Sequence, residues 1–129
     1  MTEKIQKKIL VVDDEINVCK SIRRALTSDE YEIDMATDGE EALRKDAETP
    51  YDVILVDLMM PGLSGIDLLK TLKGRRSRAH IIMMTGYPST KTSLDSMQLG
   101  AFDYLPKPFI PSEIRNVVGR ALAAEAGEE

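Results

Sequence analysis

The chain has 129 residues, 43% hydrophobic and 30% charged, a balance that fits one globular domain and excludes disorder as the main state. Its 17 Lys and Arg against 22 Asp and Glu leave a net charge of −5, which argues against direct nucleic-acid binding, where phosphate contacts need concentrated positive charge. One cysteine, Cys19, excludes an internal disulfide framework, and no apolar run approaches the roughly 18–20 residues that span a bilayer.

The first eight residues lack the pattern of a signal peptide, so a reducing cytoplasm is the expected compartment. Ile9, Leu10, Val11 and Val12 form a branched apolar run that predicts a fully buried strand over 8–12, ended by Asp13 and Asp14. Val18, Ile22, Ala25 and Leu26 then recur at helical spacing. Residues 32–36 alternate and predict a short strand nearer an edge, followed by a weaker helix over 39–48. Val53, Ile54, Leu55 and Val56 predict a second buried strand over 52–56, with Asp57 at its end. Pro61, Gly62 and Gly65 interrupt the pattern over 58–65, and a helix follows over 66–72. The basic cluster Lys73, Arg75, Arg76 and Arg78 falls in the next loop, has no interleaved aromatics and reads as a solvated loop. Residues 80–84 predict a fourth strand, closed by Thr85 and Gly86. A short helix over 90–98 takes Gly100 as its C-cap, and a fifth strand over 101–105 is punctuated by Lys107, Pro108 and Phe109. Ile114, Val117, Val118, Ala121 and Leu122 give a last helix its apolar stripe, with Pro111 near its first turn. Residues 124–129 are expected to fray or to begin a linker.

Five strands alternating with five helices predict an α/β, doubly wound fold with a parallel sheet covered on both faces. The strands ending at Val12, Val56 and Met84 belong in its middle. A ligand site in such a sheet lies beyond the carboxyl ends of the strands. Strand placement gathers Asp13, Asp14, Asp57, Thr85 and Lys107 there. Each alone has an ordinary reading, as a cap, a turn residue or a solvated charge. Together, three carboxylates repel one another and require compensation, most simply a divalent cation. All-oxygen ligands favour magnesium or manganese over zinc, for which Cys19 and His80 supply no site. A carboxylate can also attack phosphorus to form an aspartyl-phosphate, with metal and lysine neutralising the oxygens in transfer.

Four motifs carry a family resemblance: Val11-Val12-Asp13-Asp14-Glu15; the run from Asp52 to Gly62 that holds Asp57 and Pro61; Met84-Thr85-Gly86; and Ala101-Phe102-Asp103-Tyr104-Leu105-Pro106-Lys107-Pro108-Phe109. In this order and spacing the chain resembles the receiver domain of two-component response regulators, over a core of about 7–123 within one domain of 1–129. The resemblance implies a flavodoxin-like, CheY-like (βα)5 fold with strand order 2-1-3-4-5. It implies Asp57 as phosphoacceptor, charged by a sensor histidine kinase or a histidine phosphotransfer protein. It implies Asp14 as a direct Mg2+ ligand, Asp13 as one acting through water, Asp57 and the Met59 carbonyl completing the protein's share, and Mn2+ as a substitute. Thr85 is then the switch hydroxyl, Lys107 the ammonium that meets a phosphoryl oxygen, and Tyr104 the aromatic switch, with a cis peptide before Pro108. The face built from the fourth helix, fifth strand and fifth helix would contact an output domain, a partner or a second copy, with no membrane involved.

Met59 and Tyr87, two residues beyond Asp57 and Thr85, are bulky and neither is a carboxylate or amide that would readily orient an attacking water, so a fairly long-lived phosphoryl state is expected. A Mg2+-dependent aspartyl-phosphate phosphatase is the enzymatic alternative, but Met59 stands where a second acid would be wanted. Flavodoxin-like cofactor binding would want small or hydroxyl residues where Asp13 and Asp14 stand. The chain reads best as the N-terminal receiver of a longer transcriptional regulator, with a stand-alone regulator as the alternative.

Overall fold

The computed structural model describes residues 6–127. Its elements are β1 (Lys7–Val12), α1 (Ile16–Leu26), β2 (Tyr31–Ala36), α2 (Gly39–Glu48), β3 (Val53–Asp57), α3 (Gly65–Gly74), β4 (His80–Thr85), α4 (Thr90–Gln98), β5 (Asp103–Pro106) and α5 (Pro111–Gly127). The strands form one sheet in the order β2-β1-β3-β4-β5, and every pairing is parallel. The expected order and the expected central strands are found. Among the described residues no helix is long and apolar enough to cross a membrane.

Strand alternation divides the core into two layers. Leu10, Val12, Ile54, Val56, Ile81 and Met83 pack with Leu68, Leu69 and Leu72 on one face. Ile9, Val11, Val53, Leu55, Ile82 and Met84 pack with Ile22, Leu26, Val117 and Val118 on the other. Central strands buried on both faces must be apolar at every position, which is why β1 and β3 show continuous rather than alternating hydrophobicity. Full burial of each such side chain contributes about 1.5–3 kcal/mol, so the central strands are held rigidly.

Element ends differ from expectation where polar groups decide them. α3 starts at Gly65 because the Ser64 hydroxyl accepts the Asp67 N–H, and it continues to Gly74. β5 begins at Asp103 rather than at residue 101, because the Ala101 N–H closes the end of α4 on the Ser96 carbonyl. Gly100, at φ +103°, makes that reversal as expected of a C-cap. α5 begins at Pro111 and runs to Gly127, through most of the segment expected to fray; residues 128–129, the rest of it, lie outside the described residues, as do 1–5. The basic loop after α3 lies at the amino end of β4, away from the strand carboxyl ends. There Arg78 pairs with buried Asp52 at 3.2 Å and Arg75 donates to the Leu43 carbonyl.

Candidate functional site

Register aligns the carboxyl ends: Val12 faces both Ala36 and Val56, Asp57 faces Met84, and Thr85 faces Pro106. Beyond the ladder the Leu58 N–H donates to the Met84 carbonyl and the Lys107 N–H to the Thr85 carbonyl, each at 2.7 Å. These bonds fix the residues that carry Asp57, Thr85 and Lys107 along one sheet edge.

Asp13 is fully buried, and both its oxygens are engaged: Oδ1 accepts the Glu15 N–H and Oδ2 the Lys107 ammonium, each at 2.9 Å. Lys107 Nζ also lies 3.5 Å from Asp57 Oδ1. Asp14 is exposed. Asp13, Asp14 and Asp57 each place a carboxylate oxygen within 4.8 Å of the others. Three carboxylates against one ammonium leave two negative charges, which a divalent cation balances. Hard oxygen donors with an open, solvent-facing side suit Mg2+, which retains several waters. The donor set therefore fits the ion, with Asp14 the side chain whose position leaves it free to reach it.

Burial and the charge of Asp13 raise the Asp57 carboxyl to about 6, while Lys107 and the Met59 N–H pull it down. Even so, Asp57 is mostly ionised near neutral pH and can act as a nucleophile. The Lys107 ammonium is held charged against its own desolvation by Asp13 and Asp57. Cys19 lies beneath, its thiol pushed up to about 11 by burial and by Asp13, and is therefore a poor nucleophile.

Asp14, Asp57 and Lys107 line a cleft of about 410 Å³ together with Glu15, Met59, Gly86 and Tyr87. Met59 and Tyr87 stand at its mouth, 60% and 79% exposed. Thr85 is buried and its hydroxyl accepts the Tyr87 N–H at 3.0 Å. Tyr104 is half-buried and stands apart from the cleft, its hydroxyl 2.8 Å from Thr92 Oγ1 on α4. The Lys107–Pro108 peptide is cis.

Two residues of the site carry signals that the sequence reading left unused. Glu15 lines the cleft as a third carboxylate beside Asp14 and Asp57, although it was visible only as the last residue of an acidic run. Gly65 was read as a pattern breaker, yet a Cβ there would meet the Asp57 carbonyl oxygen and would lie 2.7 Å from Leu58 Cα. Its signal was a glycine at the first position of a capped helix, where none is needed for the turn and close backbone approach is the remaining reason.

Residues 9–119 match the family model described as "Response regulator receiver domain". The chain is 37% identical over 119 residues to the regulatory protein AtoC of Escherichia coli, covering 92% of this chain and 26% of that protein. It is 39% identical over 114 residues to the transcriptional regulatory protein ResD of Bacillus subtilis, covering 88% of this chain and 47% of ResD. It therefore spans about a quarter to a half of the length of these relatives. A solved CheY-like receiver domain protein from Methanospirillum hungatei superposes with a TM-score of 0.90 at 30% identity, over 96% of this chain and 99% of that one.

Proposed function

The chain belongs to the response regulator receiver family, and on that premise we propose that Asp57 accepts a phosphoryl group from a phosphohistidine of a sensor kinase or phosphotransfer protein. The observation that carries the proposal is the joint placement of Asp13, Asp14 and Asp57 within 4.8 Å, with Lys107 bridging two of them. An Asp57 carboxylate oxygen forms the new bond to phosphorus as the phosphorus–nitrogen bond breaks, and the electron pair stays on the departing imidazole. Asp14, Asp57 and the Met59 carbonyl would hold Mg2+, with Asp13 acting through water. The ion supplies charge neutralisation for the phosphoryl oxygens. Lys107 approaches a phosphoryl oxygen from the Asp13 side, and its ammonium needs no movement of the backbone to stay near Asp57. Thr85 exchanges the Tyr87 N–H for a phosphoryl oxygen, and Tyr104 responds.

A mainly apolar cleft of about 530 Å³ adjoins the site, lined by Asn17, Val18 and Ser21 of α1 and by Lys107, Pro108 and Phe109. It suits the surface of the phosphodonor. Output runs through the α4-β5-α5 face to an effector domain, a partner or a second copy. The chain covers only part of AtoC and of ResD, which supports a receiver segment within a longer regulator, any nucleic-acid contact lying outside this segment. Hydrolytic turnover of small phosphomonoesters is not expected, since Met59 offers no proton to a leaving group.

The test is to incubate the protein with Mg2+ and acetyl phosphate and to follow intact mass. One acid-labile phosphoryl adduct is expected, absent with Asp57→Asn or with excess chelator. Unchanged labelling of the Asn variant would overturn the assignment.

A further inference from the structure

α4 is seated unlike its neighbours. α3 turns Leu68, Leu69 and Leu72 to the sheet, and α5 turns Ile114, Val117, Val118 and Ala121. The one buried residue of α4 is Ser96, while Leu94 and Met97 are 56% and 43% exposed. Aliphatic burial fastens a helix to a sheet, and α4 has little of it. Among the described residues, Ser96 Oγ is the only buried side-chain oxygen or nitrogen without a hydrogen-bond partner. Leaving such a group unpaired costs free energy, and a helical serine usually avoids this by bonding a carbonyl one turn back.

One turn earlier, on the same face, Thr92 Oγ1 shares hydrogen bonds with Tyr104 Oη at 2.8 Å and with Ser89 Oγ at 2.9 Å. The Ser89 N–H also reaches the Tyr104 hydroxyl, at 3.4 Å. The start of α4 is thus tied to β5 through hydroxyls. Gly86, Tyr87 and Pro88 alone separate Ser89 from Thr85, whose hydroxyl holds the Tyr87 N–H. A Thr85 hydroxyl drawn toward Asp57 releases that bond and pulls on the segment that carries Ser89.

We propose that Thr92 is a positioning residue whose bond to Tyr104 latches α4 in the resting arrangement, and that Ser96, partnerless there, gains a partner when α4 moves and so opposes the latch. The inference rests on the reading of Asp57 as phosphoacceptor. Two hydroxyls one turn apart then weigh the same equilibrium in opposite directions.

The experiment titrates the full chain with beryllofluoride, a phosphoryl mimic, in Mg2+. Apparent affinity scales with the population of the arrangement that binds. Thr92→Val keeps the side-chain shape without the hydroxyl and is expected to tighten binding about fivefold, the factor matching the net contribution of one hydrogen bond. Thr92→Ser restores wild-type affinity, and Tyr104→Phe added to Thr92→Val, which removes only the longer Ser89 N–H contact, changes affinity by less than Thr92→Val itself. Ser96→Ala weakens binding about fivefold and raises the thermal midpoint. Amide exchange without the mimic is read in parallel: faster across α4 in Thr92→Val, slower in Ser96→Ala. Wild-type affinity and exchange in Thr92→Val, or a Thr92→Ser variant that behaves like the valine variant, would overturn the latch. A Ser96→Ala variant that is stabilised with unchanged affinity would overturn the role of Ser96. If wild type fails to bind the mimic, the reading of Asp57 falls, and exchange alone then decides whether the latch exists.

Discussion

Asp13 and Asp14 are adjacent in sequence and opposite in situation. Asp13 is fully buried with both oxygens engaged, by Lys107 and by the Glu15 amide, whereas Asp14 is exposed. The chemistry at Asp57 follows from this crowding, since burial and Asp13 together lift its carboxyl to about 6 from an ordinary 3.8. A carboxyl whose folded value is raised is bound to its proton more tightly in the folded chain. Its unfavourable contribution therefore grows as pH rises from about 4 through 6 and is fully present above that. In chelator, Asp57→Asn should stabilise the protein by about 1–3 kcal/mol at pH 8 and by almost nothing at pH 4, measured by urea unfolding. Equal stability of the two proteins at pH 8 would count against this electrostatic account. At the mouth of the cleft, Met59 and Tyr87 present no carboxylate or amide to orient an attacking water. Replacing them by Asn and Glu should speed loss of radiolabelled phosphate about tenfold or more, and an unchanged decay would remove these side chains from the explanation.

Elements were legible in the sequence wherever burial alone decides them. β1, β3 and β4 announced themselves as branched apolar runs because both faces of each strand are covered, and their last residues located Asp13, Asp57 and Thr85. Legibility failed where a backbone contact or a polar cap decides. Gly65 shows why: its reason is the Asp57 carbonyl packed against its Cα, a contact between residues on different elements. Gly65→Ala should cost about 1–3 kcal/mol in urea unfolding and also slow Asp57 labelling, because the backbone that carries the carboxylate must shift. A loss of stability with normal labelling would restrict Gly65 to packing. The hydroxyl track on α4 was hidden for a related reason. Ser89, Thr92 and Ser96 read as polar surface of a short helix, and nothing local says that the helix lays that face on the protein.

For the molecule as a whole, an ion held by the folded chain and not by the unfolded one raises stability by mass action. Mg2+ at a hundredfold excess over its Kd should add about 2–3 kcal/mol and raise the melting midpoint by about 5–10 °C. Asp14→Asn should abolish most of that response while leaving the metal-free midpoint nearly unchanged, since Asp14 is exposed. A full Mg2+ response in that variant would move the ion away from Asp14. The two flanks of the sheet carry a consequence of their own. β5 is only four residues long and finishes on Pro106, which has no amide hydrogen to offer a newcomer. β2, at the opposite flank, carries the exposed Glu32. A charge on one edge strand and a truncated border at the other disfavour the addition of a sixth strand from a neighbouring molecule. Both flanks of the sheet therefore disfavour strand-to-strand pairing between copies, and a second copy is better met through side chains than through the sheet edge.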